Sequence, residues 1–166
     1  WGFLKYYHPK VNEGNLNWDT QLVELMTKLE GVKTKQELSD VYIKWIESLG
    51  DVKPCENCQS TNEKEYFNKN FNLSWLQDKT FSPTLIERLK YIEQNRTQKQ
   101  HYVGLDGATT IYINEPQYTA SQWNDESIRL ITLFKYWNVI EYFYPYKYLM
   151  DQNWDEVLLE MIPRFQ

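Results

Sequence analysis

Histidine and cysteine are scarce: the chain holds two of each, His8 and His101, Cys55 and Cys58. A structural metal site normally draws four ligands, so the Cys55-x-x-Cys58 pair is a poor start for one, and no metal or cofactor is expected. A redox Cys-x-x-Cys sits at the strand-to-helix junction of a βαβ unit, and that pattern is missing. Two readings stay open for these thiols: a local disulfide if the protein is exported, two reduced cysteines if it is not. Long apolar runs are also missing. The richest, 128–143, is broken by Arg129, Lys135 and Glu141, short of the roughly 18–20 residues of a membrane span. Acids and bases, 23 against 18, are interspersed rather than blocked, which argues against a nucleic-acid partner. There is no Gly-x-Ser-x-Gly, no Walker motif, no dinucleotide fingerprint and no His-Glu-x-x-His. The carboxylate pairs Asp40/Glu47 and Asp151/Asp155 fall in amphipathic or capping contexts, and Asn72-Leu73-Ser74 and Asn95-Arg96-Thr97 match only the common glycosylation tripeptide.

What the chain has in excess is aromatic residues: seven Trp, thirteen Tyr and seven Phe among 166 residues. Such side chains belong in cores and interfaces. The hydrophobic period predicts a mainly α fold of five to six helices plus one small β-hairpin. A helix over 1–7 is stopped by Pro9. A second opens at Asn17-Trp18-Asp19, with an N-cap and an acid in its first turn. A third opens at the capping box Thr34/Glu37 and closes at Gly50. Residues 51–81 read as an irregular, Cys-containing excursion with a short helical turn over 74–77. Ser82-Pro83 starts another helix. Two β-prone runs within 101–113 flank Gly104-Leu105-Asp106-Gly107. Helices over 125–144 and 154–165 follow. The expected segments are 1–50, 51–81 and 82–166, packed as one compact unit.

The most specific feature is an internal repeat. Trp1 through Pro9 aligns with Trp137 through Pro145, 136 positions later. In the same register Asn17-Trp18-Asp19 meets Asn153-Trp154-Asp155, Leu22 meets Leu158 and Glu24 meets Glu160, giving eight identical positions. Each copy is a helix, a proline stop, a seven-residue loop and a capped second helix: an αα-hairpin. Trp1, Trp18, Trp137 and Trp154 are expected to form hydrophobic hinge cores, with an aromatic ligand groove as the competing reading.

These motifs resemble those of a known family. Trp-Gly-Phe-Leu-Lys-Tyr-Tyr-His-Pro with the later Asn-Trp-Asp, then Lys44-Trp45-Ile46-Glu47-Ser48-Leu49-Gly50 running into the Cys-x-x-Cys, is similar to the amino-terminal region of the tail-specific, tricorn-type serine peptidases, family forty-one of that class. The nearest likeness is to envelope-associated bacterial members. Arg129-Leu130 through Tyr146, with Asn153-Trp154-Asp155, resembles the helical hairpin before the protease core; Asn114-Glu115-Pro116 and Tyr118 fit the link between the two regions. The resemblance covers nearly the whole chain. It implies an exported, periplasmic or cell-envelope protein and a Ser/Lys-type protease in a later domain, which would be the partner of this region, together with the peptide substrate. It places no catalytic residue in this chain: Ser60-x-x-x-Lys64 lies in a polar loop and does not match. The segment is accordingly expected to be a helical cut-out, since Trp1 opens within a helical pattern and Gln166 closes the second hairpin. The alternatives are an aromatic-rich peptide- or carbohydrate-binding module, or an orphan structural domain.

Overall fold

The structure is a computed structural model that describes residues 1–56, 58 and 73–166. It is mainly helical. The α-helices are α1 (Gly2–Tyr7), α2 (Trp18–Leu29), α3 (Lys35–Ser48), α4 (Pro83–Gln94), α5 (Glu126–Phe143) and α6 (Trp154–Phe165). One antiparallel pair, β1 (Val103–Asp106) and β2 (Thr109–Tyr112), stands between α4 and α5. Short 3-10 turns occupy Val11–Glu13, Ser74–Gln77, Ala120–Asn124 and Lys147–Leu149. No helix among the described residues is long and apolar enough to cross a membrane.

The local chemistry accounts for the helix starts. The Asn17 side chain accepts the Thr20 N–H. At α3, Thr34 Oγ1 accepts the Glu37 N–H while Glu37 Oε2 accepts the N–H groups of Thr34 and Lys33. These bonds stabilise the carboxylate and hold Glu37 below its ordinary value. Ser82 caps α4, and its own N–H donates to the fully buried hydroxyl of Ser39, fixing the start of α4 on α3. The β-turn lies two residues later than expected. Gly104, Leu105 and Asp106 are strand, Asp106 pairs with Thr109, and the loop is Gly107-Ala108. Gly107 takes φ 61°, which a glycine adopts without the steric penalty of a Cβ.

Two compact units result, divided between Asn114 and Glu115, with Gly2 grouped with the second. The helix α4 and the β-hairpin fall in the first unit. In the first unit a core of Phe3, Leu4, Trp18, Leu22, Leu25, Trp45, Leu76, Leu85, Leu89 and Ile92 is buried beneath α1 to α4. In the second, the buried apolar residues among those described are Leu130, Ile131 and Leu133, all on α5. There Arg129 ties the elements: Nε donates to the Phe165 carbonyl at 2.8 Å and Nη1 to the Trp123 carbonyl at 2.9 Å.

Candidate functional site: two tryptophan clasps and a buried polar turn

The repeated sequence produces a repeated structure. The 3-10 turns Val11–Glu13 and Lys147–Leu149, and the helices α2 and α6, are 136 residues apart at both ends. The first helix of each hairpin ends on an extended residue, His8 at φ −77°, ψ 123° and Tyr144 at φ −78°, ψ 117°. Pro9 and Pro145 follow and prevent the helix from continuing. Asn17 and Asn153 then cap the second helix.

Each pair of tryptophans forms a reciprocal clasp. Trp1 Nε1 donates to the Trp18 carbonyl at 2.9 Å, and Trp18 Nε1 donates to the Trp1 carbonyl at 3.2 Å. In the second hairpin, Trp137 Nε1 donates to the Trp154 carbonyl at 2.8 Å and Trp154 Nε1 to the Trp137 carbonyl at 3.0 Å. The ring centroids are 6.4 Å apart in both, with interplanar angles of 13° and 5°. An indole N–H is a donor only, and a carbonyl has two lone pairs. Trp1 O uses one for the Lys5 N–H and the other for the Trp18 indole. Two N–H groups are thereby satisfied while two apolar rings stack. This closes the hinge from both sides. Trp18 is buried, and Trp1, Trp137 and Trp154 are half-buried. The four rings are thus engaged in the hinge itself through stacking and hydrogen bonds.

Around the first turn the sequence places polar residues that the structure buries completely: Lys5, His8 and Asn12. Lys5 Nζ lies over the rings of Tyr102 and Trp1, at 4.6 and 4.9 Å from their centroids, where ring quadrupoles attract a cation. Asn12 Nδ2 donates to the carbonyls of Lys5 and His8, at 2.8 and 3.2 Å, and its Oδ1 accepts the His101 N–H. His8 Nδ1 accepts the Lys10 N–H at 3.2 Å, which places the proton of the neutral ring on Nε2. Burial, with Lys10 adding to it, lowers His8 to about 4, so the ring is neutral at pH 7. The fit is close: a Cβ on Gly14 would meet the His101 ring at 2.2 Å.

The second turn has the same backbone with other chemistry. Glu141, Tyr144 and Tyr148 replace Lys5, His8 and Asn12. Glu141 pairs with Lys147, and burial nevertheless raises it above its usual value. Tyr144, Tyr146, Tyr148 and Leu149 are exposed.

Cys55 and Cys58 are joined in a disulfide. The Cys55 N–H donates to Asn95 Oδ1 at 2.8 Å, and Asn95 Nδ2 donates to the Tyr91 carbonyl. The Asn95 amide is therefore engaged at both ends. Asn72, Ser60 and Lys64 lie outside the described residues. Among the described residues no group of three or more His, Cys, Asp or Glu side chains could hold a metal ion. The indole clasps follow from Trp residues that the repeat singles out. The buried Lys5, His8 and Asn12 do not, although they are among the positions where the two copies differ in charge and polarity. No family model, curated protein or solved structure matches this chain.

Proposed function

We propose that this chain is the non-catalytic amino-terminal helical region of an exported serine endopeptidase that processes protein C-termini, and that it supports or gates a downstream protease core. The observation that carries the reading is the repeated hairpin. The residues that resemble the peptidase family, Trp1 to Pro9 with Asn17-Trp18-Asp19 and Trp137 to Pro145 with Asn153-Trp154-Asp155, are the ones that build the two clasps. A hinge closed by stacked rings and two hydrogen bonds holds two helices at a fixed angle, as a support for another domain requires. The Cys55–Cys58 disulfide is at home in an oxidising compartment and supports export to the periplasm or cell envelope.

The test is on the complete polypeptide: incubation with peptides differing only in their last residues, and labelling with a serine-directed phosphonate. The reading expects C-terminus-dependent cleavage and one labelled serine outside residues 1–166. A complete polypeptide that neither cleaves nor labels would sink it. A second reading, a peptide- or carbohydrate-binding module, draws on the exposed Tyr144, Tyr146 and Tyr148 rather than on the tryptophans. Binding of oligosaccharide by the isolated chain, lost in Tyr146→Ala, would favour it.

A further inference from the structure

The two hairpins share a clasp but differ in what lies on the second helix. In the first unit α3 packs along α2. Trp45 stacks on Trp18 at 5.2 Å and 12°, and its Nε1 donates to Gln21 Oε1 at 3.2 Å. Trp18, Leu22 and Leu25 are buried as a result. Their counterparts on α6, Trp154, Leu158 and Met161, are only half-buried, and no residue of α6 is fully buried. Val157 stands where Gln21 does, so this flank is more apolar than the one α3 covers. Among the described residues, Trp154 has Trp137 stacked on one side and only the edge of Tyr136, itself 62% exposed, as a further ring neighbour.

We propose that the flank Trp154–Val157–Met161 seats one amphipathic helix that follows α6 in the parent polypeptide. That helix sets an aromatic ring on Trp154 from the side opposite Trp137, as α3 follows α2 and sets Trp45 on Trp18. The first hairpin names the occupant, because the same helix, clasp and register already carry a helix there. Trp154, Val157 and Met161 carry no charge, and the neighbouring Arg164 is paired with Glu160; an apolar helix surface with one ring fits this flank. The source of the helix rests on the reading of this chain as one region of a longer peptidase; the docking face itself does not.

Two measurements test this. In the first, a synthetic peptide of residues 34–50 is titrated into the 15N-labelled chain and the indole signals are followed. The Trp154 signal should move and saturate. Val157→Gln, which restores the acceptor that Gln21 offers to Trp45, should tighten binding severalfold, and a peptide carrying Trp45→Phe should lose that gain. No movement of the Trp154 signal, an equal movement with a scrambled peptide, or a Trp154 shift produced by self-association of the chain alone would each overturn the proposal. In the second, Met161→Cys is labelled with a maleimide in the chain and in the parent polypeptide. At least tenfold slower labelling in the parent is expected, and equal rates overturn the covering helix. Serine labelling of the same parent sample is read separately, so a failed helix and a failed peptidase reading are told apart.

Discussion

In the first hairpin Trp18 lies between two other indoles, Trp1 and Trp45, and the turn buries Lys5, His8 and Asn12 against Tyr102 and the backbone of His101. In the second, Trp154 stacks on Trp137 alone, and the turn exposes Tyr144, Tyr146, Tyr148 and Leu149. The backbone and the clasp are shared, so the clasp does not depend on the cover. The hinge geometry is set locally by a proline stop, an asparagine cap and two indoles seventeen residues apart. The cover decides instead which side chains the turn can carry. A turn beneath a strap of chain has polar groups that bond inward; the more exposed turn carries tyrosines, which combine an apolar ring with a polar tip.

This difference can be broken or sharpened experimentally. Trp18→Ala should have the largest effect, about 3–5 kcal/mol of stability by chemical denaturation, because a buried ring is lost between two others. Trp154→Ala, half-buried with one stacked partner, should cost less, about 1.5–3 kcal/mol. Equal losses would mean that the third indole adds nothing. Next comes pH. His8 titrates near 4 in the folded chain and near 6.5 when unfolded. The unfolded state therefore binds the extra proton between these values, and stability falls as pH drops from 6.5 to 4, by at most about 3 kcal/mol. His8→Gln should flatten that part of the curve. No change in the pH profile would mean that the ring is not buried neutral.

Asn12→Ala removes three hydrogen bonds at a buried site and should cost about 2–3 kcal/mol. Its counterpart Tyr148→Ala, on the exposed turn, should cost well under that. The Cys55–Cys58 disulfide closes so short a loop that its reduction should cost no more than about 2 kcal/mol. The smallest effect belongs to Leu149→Ser, 66% exposed, where thermal melts should change by less than about 0.5 kcal/mol. A larger loss there would show that the second turn is packed.

The helices and their starts were legible in the sequence because their signals are local: Thr34 with Glu37, Ser82 with Pro83, Asn17 and Asn153 before tryptophan. The β-turn lies two residues beyond the expected place because Gly104 and Gly107 both signal a turn, and only the pairing of Asp106 with Thr109 selects the second. The repeat was legible as spaced identities, and it marked the four hinge tryptophans. Their mutual hydrogen bonds were not, since a sequence does not show that an indole and a helix carbonyl face one another. The burial of Lys5 and His8 was hidden for a different reason. It depends on Tyr102 and on the chain around His101, some ninety residues away, and no periodicity links positions so far apart.

The central claim is that both hairpins are closed by the same reciprocal indole–carbonyl pair, and hydrogen exchange at the seven indole N–H groups tests it directly. The account predicts slow exchange for Trp1, Trp18, Trp137 and Trp154, and fast exchange for the exposed Trp75 and Trp123. Trp137 and Trp154 exchanging as fast as Trp123 would contradict it.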